Sequence, residues 1–223
     1  MLTAVFVVTA ASCAQLPLPE RTPLRIDEPL SGATRGRLLY TTADPAQCMA
    51  WLQAAGVGFT PMADRSEGEF CHVRNAGALR DAGPPTISLS PARPMMTCDL
   101  AAAVALWRRQ SLEPAAREIF GAGVAQVDHL GVYACRRVNN AAEGRYSAHA
   151  SAAAIDIAGV RLRNGRRISV QRDWMRDGTP EAAFLRRIRD DACRIFGSTL
   201  SPDYNALHQD HLHLEAGGGR MCR

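Results

Sequence analysis

Residues 153–172 read AAIDIAGVRLRNGRRISVQR, two alternating apolar and polar segments around Asn164-Gly165. Asn-Gly supplies the positive-φ residues of a tight turn, so the stretch predicts a β-hairpin with strands over 153–161 and 167–172. The hairpin carries one costly residue. Asp156 stands between Ile155 and Ile157, and a carboxylate buried there without a partner is expensive. It therefore either faces solvent or binds something cationic.

Downstream, Thr179-Pro180-Glu181 opens a helix with a cap, an N-terminal proline and a first-turn acid. Phe184, Leu185, Ile188, Ala192 and Ile195 form its apolar stripe, and Gly197 ends it. Residues 208–214 read as a last strand, followed by a glycine-rich tail to Cys222. Upstream lie a polar loop over 137–147 and strands over 124–127 and 132–135. Residues 99–109 and 115–120 predict one long or kinked helix interrupted near Pro114, with Leu100, Val104 and Trp107 at helical spacing. Asp44 caps a short helix that has Pro45 first and stops at Gly56. Short strands over 57–61, 69–73 and 86–89 suggest a small sheet. Four prolines between residues 14 and 36 make that stretch a linker or a surface wrap that adds nothing to the core. The expected organisation is a leader over 1–13, a proline-rich linker over 14–40, a small N-terminal subdomain over 41–97 and a core over 98–223. No internal repeat is present.

The 223 residues are 47% hydrophobic, 22% charged and 6% aromatic, which excludes disorder, collagen and coiled coil. All 26 basic residues are arginine, and a net charge of +4 without a basic run is no footprint for nucleic acid. The seven cysteines contain no C-x-x-C pair, so wide spacing favours disulfides over a zinc ribbon. Residues 1–11 (MLTAVFVVTAA) are uncharged and apolar, too short to span a bilayer but right for a signal segment. Ala10-Ala11-Ser12-Cys13 resembles a bacterial lipobox, in which Cys13 carries lipid; a plain secretory signal or a buried strand are the other readings. With Cys13 lipidated or removed, Cys48, Cys71, Cys98, Cys135, Cys193 and Cys222 remain for three disulfides, as suits an exported protein. Cys48 to Cys71 is the expected local bridge.

Three of the six histidines fall within His208-Gln209-Asp210-His211-Leu212-His213. On a strand, His211 and His213 point the same way and can share or flank a metal. His149 lies in Ser147-Ala148-His149, seven positions before Asp156. These signals together form the pattern Ser-x-His-x6-Asp followed by Asp-His-x-His. The pattern resembles the zinc D-alanyl-D-alanine metallopeptidases and the peptidoglycan amidohydrolases that share a core with the Hedgehog signalling domain. Tyr133-Ala-Cys135-Arg136, Ala154-Ile-Asp156-Ile-Ala158, Phe184-Leu185-Arg186, Pro202-Asp203-Tyr204-Asn205 and the closing Cys222-Arg223 are more closely similar to the bacterial extensin-like C-terminal family. This likeness runs from about Cys48 to the end.

The resemblance implies an α+β fold, a Hedgehog/DD-peptidase-like antiparallel sheet flanked by helices with a small N-terminal α/β extension. It implies Zn²⁺ held by His149, Asp156 and His213, with Asp210 as the acid that activates water and His211 at the rim of the metal. Arg136 is then expected near the scissile carbonyl, and Ser147 against a substrate carboxylate. The implied substrate is a peptidoglycan peptide; the protein is expected to be a monomer, in the periplasm or else secreted, that touches a membrane only if Cys13 carries a lipid anchor. The alternative is a metal-stabilised domain that binds the cell wall or an envelope partner without cutting it. One departure from the family pattern is Ala152, where glycine is usual three residues after the first histidine; its methyl enters a place where the backbone needs room. Another is Asp210 itself, one methylene shorter than the usual glutamate.

Overall fold

The computed structural model describes residues 22–81 and 86–223. The leader and Cys13 lie outside the described residues. Helices α1 (Thr34–Thr42) and α2 (Pro45–Ala54) come first, followed by strands β1 (Gly58–Pro61), β2 (Arg65–Glu67), β3 (Cys71–Val73), β4 (Ala76–Asp81), β5 (Ser88–Ser90) and β6 (Met95–Thr97). Helix α3 (Cys98–Trp107) then runs through a π-turn at Arg108–Leu112 into α4 (Glu113–Phe120). After it come β7 (Val124–Gly131), β8 (Ala154–Leu162), β9 (Arg167–Ser169), α5 (Val170–Asp173) and α6 (Pro180–Ala192). Strands β10 (Ser198–Leu200), β11 (Leu212–Glu215) and β12 (Met221–Cys222) close the chain.

The main sheet has the order β12-β10-β11-β8-β7-β5, with β9 paired to β8. Its pairings are antiparallel except β5 with β7 and β10 with β12. A smaller antiparallel sheet orders β1-β4-β6, and β2 and β3 form a separate ribbon. The architecture is mixed α+β. The predicted hairpin is β8 and β9, which meet at Val160↔Ile168 across Asn164-Gly165, with Gly165 at φ +86°, but its second strand ends at Ser169 because Val170–Asp173 is helical. In α3, Cys98 and every residue from Leu100 to Trp107 are buried, so this helix, apolar on all sides, lies inside the protein. Trp107 Nε1 donates to the Ile188 carbonyl at 2.9 Å, which satisfies the indole while joining α3 to α6.

Several expectations require correction. Of the stretch over 14–40, the described part from residue 22 on is no mere linker. Residues 34–42 are helical and Leu24 is buried in the core, its N–H donating to Thr41 Oγ1 at 2.8 Å. Segment 86–89 does not join the small sheet, because β5 pairs with β7 on the edge of the main one. Near Pro114 the helix widens instead of breaking: the Glu113 N–H reaches back to the Arg108 carbonyl, five residues away. Residues 132–135 form no strand.

The disulfides are Cys48–Cys98, Cys71–Cys135 and Cys193–Cys222, so the expected Cys48 to Cys71 bridge is wrong. Proximity along the chain does not decide pairing; a Cα separation near 5.5–6 Å does. Cys48 lies on the buried face of α2 and meets Cys98 at the start of α3, at 6.2 Å. Cys71 begins β3 and meets Cys135 in the loop after β7, at 5.6 Å.

Candidate metal centre

Strands β8 and β11 pair antiparallel with Ile155 opposite Leu214, Asp156 opposite His213 and Ile157 opposite Leu212. Alternation sends the isoleucines and leucines to one face, where they join the core, and Asp156 with His213 to the other. This answers the question raised by Asp156: it is 9% exposed and faces the imidazoles of His149, His211 and His213, not solvent. His213 Nδ1 lies 2.9 Å from Asp156 Oδ1 and His149 Nε2 lies 3.2 Å from Asp156 Oδ2. Burial pushes the Asp156 carboxyl up, but hydrogen bonds from His149 and His213 and the charges of His149 and His211 hold it well below the usual carboxylate range. Burial lowers His213, yet hydrogen bonds to Asp156 and Glu215 prevail and raise it to about 9.

His149 comes from a short 3₁₀ turn (Ala148–Ser151) capped by Ser147, whose Oγ accepts from the His149 N–H at 3.3 Å. The loop after β7 fixes both the backbone and the ring. The Ala134 N–H donates to the His149 carbonyl, and His149 Nδ1 donates to the Val132 carbonyl at 2.7 Å. That bond leaves Nε2 aimed at the cluster, the outer-shell arrangement of metal-ligating imidazoles. The turn closes on Ala152, which is fully buried with φ +55°. Ala152 thus holds a left-handed backbone, which costs alanine about 1–2 kcal/mol.

One ligand atom from each of His149, Asp156 and His213 lies within 4.8 Å of the other two. Two imidazoles and a carboxylate form a donor set suited to a divalent transition metal. Two ring nitrogens 3.2 Å apart, His149 Nε2 and His213 Nδ1, also need a proton or a cation between them. The residues present fit a metal ion.

His211 precedes β11 and is not on it, so strand parity does not orient it. Its Nε2 nevertheless comes within 3.5 Å of Asp156 Oδ1, while its Nδ1 lies 2.7 Å from Asp210 Oδ1. Asp210 stands behind His211, 43% exposed, and does not line the cavity. Arg136 and Ser147 do line it, in a cleft of about 660 Å³ whose floor is the histidine cluster. Two members of the cluster were given no role from sequence. His208 is buried beside His211, with Nδ1 donating to Asn205 Oδ1 at 2.7 Å; burial and then the charges of His211 and His213 lower it to about 4. Glu215 Oε2 lies 3.6 Å from His213 Nε2. Glu215 was legible in principle, being two residues beyond His213 on one strand face.

Fold and site together define a disulfide-bonded α+β protein with a metal-capable His-Asp-His cluster on the open face of its sheet. The family model of the extensin-like protein C-terminus matches residues 46–223, and the chain belongs to that family. No curated protein and no solved structure matches it. Among the described residues, no helix is long and apolar enough to cross a membrane.

Proposed function

We propose that the protein is an exported zinc-dependent hydrolase that cleaves a peptide bond in peptidoglycan stem peptides or their crosslinks. The carrying observation is the juxtaposition in one open cleft of the His149–Asp156–His213 cluster and the His211–Asp210 pair. Zinc at this donor set supplies Lewis acidity and lowers the pKa of a coordinated water to about 7. His149, Asp156 and His213 would hold it. His211 is the proton carrier: Asp210 holds its Nδ1–H, which leaves Nε2, 3.5 Å from Asp156 Oδ1 at the metal cluster, to take a proton from water and deliver it to the departing amine. Asp210 thus orients the base and does not act as the base itself. Arg136 lines the cleft with a guanidinium that suits the developing charge on a carbonyl oxygen.

The sequence likeness to D-alanyl-D-alanine peptidases supports the bond type. Three disulfides support an oxidising compartment, where the cell wall is the polymer at hand. Lipidation at Cys13 is part of this reading. Incubation of purified protein with defined muropeptides, with and without zinc, tests it by product mass. Zinc-dependent cleavage is expected. Binding of zinc and muropeptides without any product would establish instead a wall-binding domain.

A further inference from the structure

We infer that Arg145 recognises a carboxylate of the bound ligand, so that the cleft selects acidic peptides over their amides; this rests on the cleft being a peptide site. The acids of the cleft are already engaged. Asp156 faces His149, His211 and His213, Glu215 faces His213, and no other Asp or Glu lines the walls. Arg136 and Arg145 also line the cleft, and among the described residues no side-chain hydrogen bond or ion pair holds either guanidinium. The cleft therefore presents two arginine forks in search of anions, and a planar guanidinium matches a carboxylate bidentately.

Arg145 is offered by a held loop. The Val138 N–H donates to the Arg145 carbonyl at 3.1 Å, and Arg137 and Tyr146 form an antiparallel bridge around it. The Tyr146 ring stacks on Phe70 at 5.0 Å and carries the Arg137 guanidinium 4.7 Å from its centroid. Phe70 is adjacent to Cys71, whose disulfide to Cys135 ties the ribbon to the start of this loop. A fixed backbone reduces the ordering cost of recognition. Leu200, Tyr204, Leu207 and Met221 line the cleft as well. A cleft with both cationic and apolar lining suits a peptide that carries carboxylates together with small aliphatic side chains.

The test is equilibrium binding to the full chain of a fluorescent stem tetrapeptide with free carboxylates and of the same peptide fully amidated. It is run on zinc-loaded protein and on chelator-treated protein, so that recognition is also read where nothing is cut. Wild type is expected to favour the acid by about tenfold or more. Arg145→Gln and Arg145→Met should weaken the acid by about tenfold and move the amide by less than about twofold, with metal content unchanged. Equal weakening of both peptides, no weakening, or no preference in wild type overturns the inference, even if hydrolysis is found. Absent hydrolysis with this binding pattern intact overturns the proposed reaction alone.

Discussion

His213 stands directly opposite Asp156 across the β11–β8 ladder, Nδ1 to Oδ1 at 2.9 Å, 57 residues apart in the chain. Residues opposed in an antiparallel pair share a face. The sheet register itself thus brings two of the three candidate ligands together, and only His149 depends on a loop.

From this geometry we expect one divalent cation per chain, measured by elemental analysis of purified protein. His149→Ala, Asp156→Ala and His213→Ala should each lose it. Zinc at a hundredfold excess over its Kd should add about 2.7 kcal/mol to the stability of wild type and nothing to these variants. Full metal content in any of the three would remove that residue from the ligand set.

The His211–Asp210 pair separates catalysis from metal binding. His211→Ala should retain zinc and lose hydrolysis by about a hundredfold or more, within the range of general-base assistance. Asp210→Asn should also retain zinc and, by leaving the ring unoriented, shift the pH–rate profile. If Asp210→Asn releases zinc, Asp210 is a ligand and the assignment of Asp156 or His213 fails.

Peptide mapping without reduction should return Cys48–Cys98, Cys71–Cys135 and Cys193–Cys222. Removal of Cys71–Cys135 by Cys135→Ser, with Cys71→Ser, opens a 64-residue loop, worth about 4 kcal/mol in the chain-entropy model. Denaturant titration reads that loss. A Cys48–Cys71 peptide would contradict the packing of α2 on α3.

Asp173 is expected to make the fold acid-sensitive. This buried carboxylate accepts from the Ser169 N–H at 2.9 Å and from Arg172 Nη2 at 2.7 Å. Burial raises it, but Arg172, the Ser169 amide and Arg176 outweigh burial and leave it below the ordinary value of 3.8. A depressed folded pKa means the contribution is complete above the unfolded pKa and is lost as pH falls through the folded one. Asp173→Asn should therefore lower Tm at neutral pH by an amount corresponding to about 1–3 kcal/mol and give a shallower acid limb. An unchanged acid limb would assign the acid sensitivity to another group.

Local chemistry sufficed for much of the fold. Asn164-Gly165 set the hairpin, Asp44 and Thr179 capped their helices as read, and cap bonds to Gln47 and Ala182 carry them. These signals act within four residues, where backbone geometry and side-chain reach are fully specified by sequence. The metal triad was legible by resemblance to a family motif. Asp156 alone announced only that it needed a cation or water.

Long-range placement was decided by the tertiary structure. Cys48 chose Cys98 because α2 packs on α3, and Leu24 became core because Thr41 and Trp51 come to meet it. Strand parity predicted His211 and His213 on one face, yet His211 lies in the turn before β11, where Asp210 and Asp156 orient it. Alanine at 152 was readable as a departure, but its positive φ is set by the closing of a turn against the backbone of His149. The sequence determined the local elements and the ligand types; chain packing determined which of them meet, because Cα distances and ring orientations between remote residues are not a property of spacing.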